Sequence, residues 1–75
     1  MFLYFERSNG EKVLVKENIE ERKILQEIRD YVAKLNPNFE IHYFRCWKTE
    51  EGMMYDVGSH TEFFIVTEKR RFNEK

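Results

Sequence analysis

Four residues of this chain are the usual materials of acid–base or nucleophilic chemistry: His42, Cys46, Asp56 and His60. A Cys–His pair works only when the imidazole reaches the thiol through a hydrogen bond. His42 and Cys46 are four residues apart in a stretch that reads as a strand. That spacing puts them on one face but roughly 13 Å apart, too far for proton transfer. Cys46 sits between Arg45 and Trp47, and a free cysteine in such a strand is expected to be a small buried residue with a slow-reacting thiol. Two histidines and one cysteine without paired close spacing do not make a structural zinc site. These residues therefore predict no catalytic centre, no metal and no cofactor.

Gly58-Ser59-His60-Thr61 carries turn chemistry, since Gly, Ser and Thr all suit tight reversals. Asp56 is placed to accept amide hydrogens of that turn. A small anion nest is the functional alternative, but there is one glycine and no adjacent lysine. Nothing matches a phosphate loop or a dinucleotide fingerprint.

A second constellation is aromatic. Tyr43, Arg45 and Trp47 alternate along one stretch, with Lys48 beside them. Exposed on a sheet, such residues stack bases or anchor a protein partner. Packed under a helix, they are simply core. The Lys69-Arg70-Arg71 cluster would add phosphate contacts to the first of these uses.

These residues have to be positioned by a small set of elements. One helix is expected over residues 18–37. Ile24, Leu25, Ile28, Tyr31, Val32 and Leu35 recur at steps of three and four and define one face. Glu20, Lys23, Glu27, Asp30 and Lys34 define the wet face. Asn18 is the expected N-cap, with Glu21 as capping-box partner. Asn36 suits a left-handed end, and Pro37 cannot continue the helix.

The rest reads as strands. Ser8-Asn9-Gly10-Glu11 lies between the apolar runs 2–7 and 12–16. Asn-Gly there predicts a type I′ hairpin with Arg7 opposite Lys12, Phe5 opposite Leu14 and Tyr4 opposite Val15. Residues 39–48 form a third expected strand. Gly52 turns it into 53–57, and the 58–61 turn leads to 62–67. The order β-β-α-β-β-β predicts an α+β two-layer sandwich, an antiparallel sheet of about five strands with one helix on one face. Residues 1–67 make one domain, and 68–75 an expected flexible tail.

Composition narrows the function classes. At 75 residues the chain has room for one small core, and its 16% aromatic content supplies much of the area that core needs. A net charge of −1 gives no global field toward nucleic acid or membrane. A single cysteine rules out an internal disulfide. No apolar run approaches the roughly 20 residues of a membrane span. The apolar start at Met1-Phe2-Leu3-Tyr4-Phe5 lacks the features of a signal peptide. The expected compartment is the cytoplasm.

The segment Tyr55-Asp56-Val57-Gly58-Ser59-His60-Thr61-Glu62-Phe63-Phe64-Ile65-Val66 carries a Tyr-Asp-x-Gly-Ser-x-x-x-Phe-Phe pattern. It resembles small phage and prophage proteins of Gram-positive bacteria. That resemblance covers about a dozen residues besides the chain length and the element order. It implies an accessory protein of a mobile element, working in the host cytoplasm, and transfers no functional residue.

Both sides of the expected sheet are apolar, and one helix shields only one of them. The expectation is that one set of large residues faces outward and makes an interaction surface. Tyr43, Arg45, Trp47, Tyr4 and Phe64 are its candidate residues. The chain reads as a non-enzymatic protein-interaction module that binds a host or phage protein or forms a homodimer. A single-stranded nucleic-acid binder is the alternative.

Overall fold

The computed structural model describes residues 1–59 and 61–68. It shows an α+β fold with the expected β-β-α-β-β-β order. The strands are β1 (Phe2–Glu6), β2 (Lys12–Lys16), β3 (Arg45–Lys48), β4 (Met53–Asp56) and β5 (Phe63–Thr67). They form one antiparallel sheet in the order β2-β1-β5-β4-β3. A single 3-10 turn, Glu21–Lys23, leads into the helix α1 (Ile24–Leu35). The β1–β2 hairpin and the β3–β4–β5 meander meet where β1 pairs with β5. The chain leaves the sheet at one edge and re-enters it at the other, so α1 lies in the connection between the two edges.

Alternation along the strands sorts the side chains into two faces. Leu3 and Phe5 of β1 stand opposite Val66 and Phe64 of β5. These four are buried in one cluster with Ile19, Ile24, Ile28 and Val57. Phe5, Tyr31 and Phe64 form an aromatic triad with ring centroids 5.1 to 5.9 Å apart. Tilted and edge-on contacts of this kind add to the burial itself. The stripe of α1 is narrower than its periodicity suggests. Ile24 and Ile28 are buried and Tyr31 and Val32 half-buried, whereas Leu25 and Leu35 are exposed. Twelve helical residues present little more than one seam to the sheet, so the ends of the stripe overhang it. On the wet side, Glu27 reaches Lys16 of β2 at 3.1 Å and ties the helix to the sheet edge.

The opposite face holds a row of cross-strand neighbours, Leu14, Tyr4, Ile65, Met54 and Trp47, one from each strand. Its centre is not open. Tyr4 and Ile65 are fully buried, and Leu14, Met54, Phe2 and Phe63 are half-buried. The expected outward-facing apolar set is therefore corrected to a graded one. Burial is deepest on the middle strand β5 and on β1 beside it, and exposure grows through β4 toward the edge strand β3.

Several local expectations change. The first hairpin is one residue out of the anticipated register: Tyr4 faces Leu14 and Phe5 faces Val13. Arg7 N–H donates to the Glu11 carbonyl, and Gly10 N–H donates to the Arg7 carbonyl. The loop thus has three residues. Gly10 takes a positive φ of 89° and Asn9 does not, which is a type I turn followed by a left-handed glycine rather than type I′. Asn9 instead uses its side chain to accept the Glu11 amide at 2.9 Å. A further register shift beside Leu3 and Tyr4 places a bulge in the hairpin near its open end.

Asn18 is not the N-cap. It takes a left-handed φ of 55° in the turn after β2, and no side-chain hydrogen bond caps the helix start. Asn36 ends the helix at φ −150°, extended rather than left-handed. The third strand is only Arg45–Lys48, not 39–48. Its sole partner β4 stops at Asp56, so residues before Arg45 have no ladder to join. Phe39, Ile41 and Phe44 pack against the core from an irregular segment instead. The expected tail lies outside the described residues beyond Glu68.

Gly52 closes the β3–β4 turn at φ 147°, and a Cβ there would lie 2.3 Å from the Val66 carbonyl oxygen. The Cβ built on Gly10 meets nothing within 4 Å. Gly10→Val should therefore cost only the conformational penalty, about 1–2 kcal/mol. Gly52→Ala adds a clash with backbone and should lose more, about 2–3 kcal/mol. Denaturant titration of both variants checks the order; equal losses would show that the close approach at Gly52 is absent.

Candidate functional site

The candidate site is the β3 border of the sheet. Four exposed residues make up β3. Trp47 is 40% exposed and leans edge-on against Phe63, with ring centroids 6.2 Å apart. Tyr43, 50% exposed, precedes the strand and lies beside Gly58; its ring carbons are 3.8 to 3.9 Å from where a Cβ on that glycine would stand. Arg45 and Trp47 thus share a face of β3, while Tyr43, expected on the same strand, lies before it beside Gly58. Tyr4 and Phe64 do not join them. Tyr4 is 0% exposed on a central strand and Phe64 is 1% exposed beneath the helix. Both are structural here: Phe64 lies on the middle strand β5 and Tyr4 on its neighbour β1.

Asp56 organises the border. It is 5% exposed at the end of β4. Its Oδ1 accepts the Gly58 amide at 2.8 Å, and its Oδ2 accepts Arg45 Nη2 at 2.9 Å. The carboxylate caps the turn as the sequence suggested. It also holds the guanidinium of the residue opposite it across the ladder. That hydrogen bond and the Asp56 charge raise the Arg45 pKa. The Gly58 amide is consumed by this contact, so the turn offers no open nest through that group. Arg45 keeps its side chain largely exposed. It therefore presents a planar, charge-compensated surface next to Trp47.

Chemistry at this border is limited. Cys46 is exposed, not buried. Edge position explains the correction: nothing flanks β3 on its outer side among the described strands. His42 lies outside the strand, exposed, 3.7 Å from Glu40. His60 lies outside the described residues, as does the 69–71 basic cluster. On the helix side of the sheet Cys46 faces Tyr55, whose hydroxyl pKa is raised by burial first and by Cys46 second. Among the described residues no group of three His, Cys, Asp or Glu is disposed to hold a metal ion. An apolar recess of about 200 Å³ lies elsewhere, at the end of α1, between Leu35, Phe39, Val57 and Phe64, with Glu62 on its rim. No helix among the described residues is long and apolar enough to cross a membrane.

Comparison with family models, with curated proteins and with solved structures finds no match to this chain. The fold and border geometry define a five-strand α+β sheet domain with an aromatic edge.

The sequence offered one missed signal. Asp56 and Arg45 become neighbours once Glu50-Glu51 is taken as a two-residue loop closed by Thr49 and Gly52. Removing the carboxylate should cost more than removing its partner. Asp56→Ala strands the Gly58 amide in a part-buried place and should lose about 1–3 kcal/mol, whereas Arg45→Ala exposes no orphan donor and should lose less. Thermal unfolding of the two variants decides; an Arg45 loss equal to that of Asp56 would contradict this account of the border.

Proposed function

We propose that the protein is a non-enzymatic protein-interaction module, an accessory factor of a phage or prophage, and that its docking surface is the β3 border. The observation that carries this reading is the exposure of Trp47 and Tyr43 beside an arginine already paired with Asp56. Tryptophan, tyrosine and arginine are the residues most enriched at interface hot spots. Edge-on support from Phe63 holds the indole in place, which lowers the entropy lost on binding. The phage setting is supported by the resemblance of residues 55–66.

The same three residues suit stacking on single-stranded nucleic acid, the alternative use. Two features favour protein. The Arg45 charge is compensated by Asp56, and the sequence after Lys48 runs into Glu50 and Glu51. A phosphate backbone needs uncompensated cations along its track.

Trp47 is the single tryptophan and reports directly on this surface. Titration with single-stranded DNA and RNA at low and high salt should leave its fluorescence unchanged. Association through the border should instead persist at high salt, because apolar burial is not screened. Quenching by oligonucleotide that disappears at high salt, with no protein association, would replace this reading with the nucleic-acid one.

A further inference from the structure

The free edge of β3 has a definite hydrogen-bonding pattern. Thr49 N–H donates to the Gly52 carbonyl at 2.7 Å, and Gly52 N–H returns to the Thr49 carbonyl at 3.3 Å. That pair is a closely hydrogen-bonded one, and in an antiparallel ladder such pairs alternate. With Trp47 opposite Met54 and Arg45 opposite Asp56, the main-chain groups of Arg45 and Trp47 point into the sheet. Those of Cys46 and Lys48 point outward. The ladder register of β3 is regular over its four pairs. The other edge, β2, is guarded differently. It carries the bulge near its open end, and its terminal lysines are held by Glu6 and Glu27 at 3.8 and 3.1 Å. Bulges and edge lysines are standard obstacles to further pairing.

We propose that β3 pairs with β3 of a second copy of this chain, antiparallel, about a two-fold axis at Cys46. This rests on the interaction-module reading and names its partner. The outward groups allow two registers, Cys46 facing Cys46 or Cys46 facing Lys48 of the other copy, and the side chains select the first. On the face away from the helix, Arg45 then comes opposite Trp47 of the other copy, twice by symmetry. Each of these places a cation against an aromatic ring. No like charges meet directly, and each copy supplies both halves of every pair, as a two-fold interface requires. Shifting the register by two residues would set Trp47 against Trp47 and Arg45 against Thr49, losing both cation–ring pairs. The sheet becomes a continuous ten-strand one, with the strand order of one copy mirrored in the other.

Cys46 makes the register measurable. Residues of a closely hydrogen-bonded pair have Cα atoms about 5.5 Å apart, within the range a disulfide spans. Oxidised glutathione should convert the folded protein to a Cys46–Cys46 dimer, two thiols giving one disulfide while glutathione takes the two electrons and two protons. The yield should fall sharply in denaturant. Light scattering should show a concentration-dependent dimer without oxidant. Trp47→Lys, which opposes Lys to Arg45, should raise the dimer Kd by about tenfold or more. Lys48→Pro removes an outward N–H with no partner within one chain, so circular dichroism should remain that of the folded protein while the dimer is lost. A monomer at all concentrations overturns the inference. So does a dimer that Cys46 cannot cross-link, which would place the interface elsewhere and leave the interaction-module reading standing. A monomer that binds only nucleic acid, and loses it at high salt, overturns both.

Discussion

The pairing of β1 with β5 is the constraint on which the rest of the structure depends. It joins the first hairpin to the last three strands and puts the two most apolar strands side by side. Leu3, Phe5, Phe64 and Val66 become a contiguous floor, and Ile24, Ile28 and Tyr31 have one place to pack. Because the chain runs from β2 to β3 through α1, the helix is carried from one edge of the sheet to the other. Every burial gradient follows. Burial is deepest on β5 and β1, β4 is half-buried, and the edge strand β3 is left exposed.

Much of this was legible in the sequence. The three-and-four spacing of Ile24, Ile28, Tyr31 and Val32 marks the helix, and Asn9-Gly10 and Gly52 mark the two hairpins. The errors share a cause: they lie where a local pattern competes with a partner set by the whole fold. Asn-Gly supports two turn geometries that differ by one residue of register. The Asn9 side-chain bond to Glu11 accompanies the longer loop. Residues 39–44 alternate like a strand, but β4 is too short to pair with them, so their apolar residues plug the core without a ladder. Asn18 has the chemistry of a cap and is used for its tolerance of positive φ instead.

The candidate border shows the same division. Arg45 and Trp47 are readable as a pair from their alternation; Tyr43 lies before the strand, where alternation does not apply. Tyr4 and Phe64 group with them in the sequence because both sheet faces look equally apolar in one dimension. Burial separates them, and burial depends on strand order, which spacing does not contain. Cys46 departs from the expected burial for the same reason. A strand cysteine is buried in a central strand and open in an edge strand, and nothing within residues 45–48 says which. Asp56 links these levels. A single buried carboxylate ends β4, shapes the Gly58 turn and fixes the arginine of the edge strand.

The central claim is that β3 is an open, regular edge whose outward groups are those of Cys46 and Lys48. Amide hydrogen exchange in dilute protein tests it residue by residue. Arg45 and Trp47 should be protected by the β4 ladder, while Cys46 and Lys48 exchange at rates near those of unstructured chain. Equal protection at all four residues in the dilute monomer, or protection of Cys46 and Lys48 in place of Arg45 and Trp47, would contradict the account.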